Sequence, residues 1–331
     1  MYDTNLLQEV FDFIWYKIFP KEYNGLEEYR RLFPKLPELI EYNTPKRNPK
    51  EGIFIPIGKT NDGEIILDLK ANPHTVVTGV TGGGKSVCIK SMICSLMKNY
   101  STKELEFHFI DFKIVELSLF KRCTDYVKSY VTEIDEAKEL LADLMEECKH
   151  RYKLFDELEV TNIYDYNKLV LKENRLKKQI IVIEEFVELT QDKQKVAMSL
   201  LKRFSSLSRA SGQYLIITGQ RFDNTVIDLV LRNNLSNRIV FQMSDEANSK
   251  LLLGISGAEQ IDVKGRCYVK VNANLQECQS YYISDKQVKE IIKPYVVNKS
   301  IKEVNKTSEN GRESVREAKE NITDLSFLDT L

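Results

Sequence analysis

Thr75-Val76-Val77-Thr78-Gly79-Val80-Thr81-Gly82-Gly83-Gly84-Lys85-Ser86 decides the fold. Its first four residues are β-branched and read as a short strand. Its last eight fit the pattern G-x-x-x-x-G-K-[ST], and residues 86–97 continue as a helix. A strand that turns through glycines into a helix is an anion cradle. Glycines let successive backbone N–H groups converge where a side chain would block approach. The helix points its positive dipole end at the same place. We assign the phosphates of ATP to Gly79, Val80, Thr81, Gly82, Gly83, Gly84, Lys85, Ser86 and Val87. Lys85 supplies a compact charge to the β- and γ-phosphates, and the Ser86 hydroxyl is expected to ligate Mg²⁺.

Further along, the apolar run Ile180-Ile181-Val182-Ile183 ends in Glu184-Glu185. An acid at a strand tip can hold a Mg²⁺ shell while a neighbouring glutamate orients the attacking water. Glu184 is therefore expected at the metal and Glu185 as general base. Aspartate is the commoner metal-side acid, so Glu184 is a departure. A third strand, 214–218, leads into Gly219-Gln220-Arg221. The Gln220 amide can donate to a phosphate and accept from water, which suits a residue that senses the γ-phosphate. Phosphoryl transfer also draws on an arginine supplied by a neighbouring subunit. Arg151, Arg209, Arg232 and Arg238 are candidates, and spacing alone does not rank them.

Around these motifs strands alternate with helices. Strands are expected at 53–57 and 65–69, joined through Asn61, Asp62 and Gly63, then at 75–78, 106–111, 179–183, 214–218 and 238–242. Helices are expected at 86–97, 134–158, 193–209 and 226–233. Several strands are uniformly apolar, so the fold class is α/β, with a mostly parallel sheet covered by helices on both faces. Residues 1–50 read as a helical, aromatic-rich segment broken at Pro34, Pro37, Pro45 and Pro49, with a linker at 44–50. Residues 51–297 form the main domain. Residues 298–331 mix both charges with Ser, Asn and Thr and read as a flexible tail.

Composition narrows the function class. The 48 basic and 49 acidic side chains leave a net charge of −1, so the chain is not a globally basic nucleic-acid binder. Positive charge confined to one groove or pore remains compatible with DNA. Six scattered cysteines and three histidines suit reduced thiols better than a zinc site or a disulfide framework. No uncharged apolar run is long enough to cross a membrane, and a cytoplasmic location is expected.

Several ordered motifs resemble the FtsK/SpoIIIE family of DNA translocases. They are Ile57-Gly58-Lys59, Asn72-Pro73-His74 before the phosphate loop, Phe109-Ile110-Asp111-Phe112-Lys113 with Glu116-Leu117, and Arg151-Tyr152-Lys153-Leu154 with Tyr166-Asn167. Ile183-Glu184-Glu185-Phe186, Arg209-Ala210 with Gly212, Gly219-Gln220-Arg221, and Gly257-Ala258-Glu259-Gln260 continue the series. The similarity covers roughly residues 53–285. It implies a RecA-like P-loop motor that assembles as a six-membered ring around double-stranded DNA and moves it by ATP hydrolysis. Arg151 matches a family arginine and becomes the leading finger acting in trans. The family's pore segment reads Ser244-Asp245-Glu246-Ala247-Asn248-Ser249-Lys250 here, so Lys250 keeps a basic position for DNA while Glu246 replaces another.

Without the membrane helices and DNA-reading module of the chromosome translocases, the chain is expected to resemble the coupling proteins of conjugative elements. A relaxase or membrane-channel partner would recruit it to the membrane. Binding should be dominated by the DNA backbone. Two other readings stand beside this one: a protein-export motor of the type VII kind, and a nucleotide-gated adaptor that does not hydrolyse ATP.

Overall fold

The computed structural model describes residues 36–43, 51–223 and 226–297. The expected N-terminal helical segment before residue 36, the linker at 44–50 and the tail after Val297 lie outside the described residues.

Six parallel strands form the centre of one sheet. In spatial order they are β9 (Asn237–Val240), β4 (Thr75–Thr78), β8 (Gln213–Gly219), β7 (Lys178–Glu184), β5 (Leu105–Asp111) and β6 (Val127–Val131). The apolar runs form central strands because both faces are covered. In β8 all seven residues are buried, and in β7 all but the first. Alternation divides β7 between two cores. Ile180 and Val182 face α1 (Lys85–Asn99) and α7 (Asp285–Ile292), while Ile181 and Ile183 face the opposite side. That second side holds α2 (Ile134–Glu157), α4 (Val196–Ser211), α5 (Leu229–Asn234) and α6 (Glu246–Leu253). The expected layers are therefore present.

An antiparallel wing extends the sheet beyond β9. It runs β10 (Arg266–Val271), β11 (Asn274–Tyr282), β2 (Phe54–Thr60) and β3 (Gly63–Asp68), with β2 and β3 joined by the expected hairpin. The sequence reading missed β6, β10 and β11, whose partly exposed residues mix polar and apolar types without a long apolar run. Residues 36–43, grouped with the N-terminal segment in the sequence reading, dock on this wing. Within them β1 (Ile40–Glu41) pairs in parallel with β11, and Arg266 Nη2 donates to Leu36 O at 3.0 Å.

Two helix starts differ from expectation for local reasons. Asp192 accepts from Gln194 N and Ala197 N and Lys195 sits at φ 57°, which delays α4 to Val196. Asp228 accepts from Leu231 N and delays α5 to Leu229. None of the described helices is long and apolar enough to cross a membrane.

Candidate nucleotide site

Parallel packing puts the exits of β4, β8, β7 and β5 side by side along one sheet edge. Thr78 pairs with Gly219, Ile183 with Ile217, and Asp111 with Glu184. Whatever follows these strands converges at their carboxyl ends, where open α/β sheets bind ligands.

The glycine loop leaves β4 against the exit of β9. Val80 N donates to Gln242 O at 2.7 Å, and Gly79 takes φ 146°. A Cβ on Gly79 would lie 2.7 Å from Phe241 Cβ and 2.9 Å from Gln242 O, so only glycine fits. Gly84, at φ 123°, comes as close to Gly265, whose Cα would be 3.0 Å from an added Cβ. It also caps α1 without a side-chain hydrogen bond, and the first turn carries no acid. The open N–H groups of that turn therefore face the cradle unneutralised, which is what an anion requires.

Lys85 lies folded over the loop, its Nζ donating to Gly79 O at 2.5 Å and Val80 O at 3.1 Å. Burial lowers its pKa, while the charges of Glu184 and Glu185 oppose that shift. Ser86 and Val87 follow in the first turn of α1, both partly buried. No partner for the Ser86 hydroxyl appears among the described residues.

The acidic tip lies two strands away. Glu184 ends β7 with 6% exposure and accepts a hydrogen bond of 2.6 Å from Thr218 Oγ1 on β8. Burial raises its carboxyl to about 7; the Thr218 bond works against this and the charges of Glu116, Asp111 and Glu185 add to it. Glu185 follows in a left-handed conformation, φ 56° and ψ 61°, unusual for a non-glycine residue. Its buried carboxylate takes an ion pair from Lys113 Nζ at 2.5 Å. Asp111 is fully buried at the end of β5 and accepts from Ile114 N, Leu117 N and Tyr130 Oη. It thereby shapes the loop that carries Lys113. Gln220 is exposed directly after β8, the strand between the glycine loop and the acidic tip.

The cradle, the first turn of α1 and the paired acids suit a nucleoside triphosphate with a hard divalent cation. Backbone donors and Lys85 match phosphate oxygens, and the Ser86 and Glu184 oxygens match Mg²⁺.

Arg151 must be corrected. It lies at the opposite edge of the sheet with 2% exposure. Its Nη1 donates to Ser211 O at 2.7 Å and Lys177 O at 2.9 Å, and its Nε and Nη2 bind Glu147 Oε1 at 3.1 and 2.6 Å. A guanidinium spent on its own subunit's carbonyls cannot reach into a neighbour's site. Arg238 is similarly committed, to Leu235 O, Leu252 O and Arg232 O. Lys250 lies on the exposed surface of α6, paired with Glu246 at 2.6 Å. The basic position that Lys250 keeps is thus offset by the glutamate that stands where the family pattern has another basic residue.

The sequence reading quoted Lys113 and Asp111 within a motif and assigned neither a role. The signal was present: an acid at a strand's last position, with a lysine two residues on. Thr218 carried no signal, because its role depends on which strand neighbours β7.

The FtsK/SpoIIIE family profile matches residues 41–224. A DNA translocase FtsK of Borreliella burgdorferi is 35% identical over 241 residues, covering 71% of this chain and 30% of that protein. One from Clostridium tetani is 33% identical over 270 residues, covering 80% of this chain and 36% of the relative. The chain thus spans about a third of the length of the curated relatives it matches. Among solved structures, the pCW3 conjugation coupling protein TcpA, in its monomer form with ATPγS, superposes with a TM-score of 0.69 at 30% identity. The match covers 78% of this chain and 75% of that one. ATPases 2 and 3 of EssC from Geobacillus thermodenitrificans reach the same TM-score at 19% identity, covering 80% of this chain and 53% of theirs, a likeness of fold alone.

Proposed function

Since the chain belongs to the FtsK/SpoIIIE family of P-loop ATPases, we propose that it is an ATP-driven motor that moves double-stranded DNA. Conjugative transfer is the setting suggested by its likeness to a coupling protein. The observation that carries the reading is the meeting of glycine cradle and acidic tip at one sheet edge.

In this reading the backbone N–H groups of residues 79–87 and the Lys85 ammonium hold the triphosphate. Mg²⁺, when bound, neutralises phosphate charge as a Lewis acid; Ser86 and Glu184 are the residues that would hold it. Glu185 orients the water that attacks the terminal phosphorus, and the new phosphate oxygens stay within reach of Lys85. The Gln220 amide, directly after the strand between cradle and acids, is set to sense loss of the terminal phosphate. Ring assembly of six copies rests on family membership, and with Arg151 removed from the role, the arginine that completes the site in trans is unassigned. DNA contact is expected at phosphates rather than base edges. Lys250 contributes there only after release from Glu246.

The test is ATP turnover with and without long duplex DNA, alongside particle mass in ATP. A DNA-dependent rise that grows steeply with protein concentration supports an assembled translocase. Turnover indifferent to duplex, single-stranded DNA and RNA alike refutes it.

A further inference from the structure

Lys113 has no part in the scheme so far, yet it sits at its centre. Its ammonium rests 2.5 Å from Glu185, the carboxylate that must be free to orient water. That pairing occupies Glu185 Oε2 and offsets one charge in a crowd of carboxylates comprising Glu184, Glu185, Asp111 and Glu116. The lysine is 45% exposed although its partner is 8% exposed, so its stem runs along the open side of the cleft. Burial lowers the Lys85 pKa, and the Lys113 charge adds to that lowering. Adjacent parallel strands lie about 4.8 Å apart, so the exits of β4 and β7, separated only by β8, are about 10 Å apart. Lys113 springs from the exit of β5, beyond β7, and its ammonium already reaches across to Glu185, so a terminal phosphate lying between cradle and acids asks only for a further shift toward β4.

The loop that carries it is open to solvent beside Lys113. Ile114 holds φ 55°, a strained value for a β-branched residue, and Ile114 and Val115 are 56% and 60% exposed. Asp111 holds the loop backbone beside Lys113 at Ile114 N and again at Leu117 N, so the exchange of partners falls to the Lys113 side chain.

We propose that Lys113 is a γ-phosphate-binding residue that exchanges the Glu185 carboxylate for the terminal phosphate when a triphosphate occupies the glycine cradle. One motion then does two things. It adds a cation where phosphate charge is greatest, and it releases Glu185 for the water. A diphosphate ends short of this lysine and leaves the Lys113–Glu185 pair intact. Lys113 therefore distinguishes ATP from ADP. The inference rests on the nucleotide reading of the cradle and deepens it.

The test is direct binding of ATPγS and ADP, each with Mg²⁺, to the full chain by calorimetry, without reference to turnover. Lys113→Ala should lose about tenfold in ATPγS affinity, the effect of one charge-assisted hydrogen bond, and keep its ADP affinity. Lys113→Arg should restore most of the ATPγS affinity. Glu185→Gln removes the competing partner and should strengthen ATPγS binding several-fold relative to ADP. Equal losses for both nucleotides in a Lys113→Ala protein that melts like the unmodified chain would overturn the proposal, as would no loss for either. If Lys113→Ala does not fold, an unchanged ATPγS-to-ADP ratio in Glu185→Gln overturns it instead. Failure of the unmodified chain to bind either nucleotide defeats the reading of the cradle itself, an outcome distinct from failed discrimination.

Discussion

Replacing Arg151 by alanine separates two accounts of that residue. As a finger acting in trans it would leave the fold intact and lower turnover. In the structure it instead holds β7 and the C-terminal end of α4 to α2. Alanine leaves Ser211 O, fully buried, and Lys177 O, partly buried, without their donor. A buried carbonyl without a partner costs about 1–3 kcal/mol. Glu147 is 39% exposed, rehydrates readily and keeps its bond from Gln179 Nε2, so it adds little. The sum is about 3 kcal/mol, the low end of what breaking a buried ion pair costs. For a folded unit of this size each kcal/mol moves Tm by about 2–4 °C, so Arg151→Ala should melt about 6–12 °C lower. Lys keeps the charge but not the fork that reaches two carbonyls and a carboxylate at once, and Arg151→Lys should fall between. The assay is thermal and urea unfolding without nucleotide, with turnover measured well below the transition. An alanine variant that melts with the unmodified chain yet loses turnover would refute the structural account and restore the finger.

Glu185→Gln should bind ATP and slow its hydrolysis about 10²-fold or more, since amide cannot replace carboxylate in orienting water; unaltered turnover removes Glu185 from that role. Gly79→Ala forces a Cβ into Phe241 and Gln242 O at a φ that suits glycine. It should cost about 2 kcal/mol or more and weaken nucleotide binding, read by melting and by titration with ATPγS. Burial holds the Glu184 carboxyl at about 7, above its ordinary 4.5. The folded state therefore binds this proton more tightly than the unfolded chain does. Stability of the metal-free protein should fall as pH rises from about 4.5 to 7, by up to about 3 kcal/mol, and level off above. Glu184→Gln should remove that slope in urea unfolding compared at pH 5 and 7.5 with chelator present; an identical slope in the variant would show that other groups cause it.

The phosphate loop was legible from residue types alone, because the requirement for glycine and a lysine at fixed spacing is local. The strands β4, β7 and β8 were legible for a related reason: a strand covered on both faces must be apolar throughout. The acids Glu184 and Glu185 could be found as the polar end of such a strand. Strand order could not be read, since sequence adjacency says nothing of which parallel strand lies beside which. That order alone set Thr218 against Glu184, Gln220 between cradle and acids, and Lys113 on Glu185. It also decided Arg151. A motif places an arginine on a helix, but only packing shows which end of the sheet that helix reaches and whether carbonyls there already claim the guanidinium.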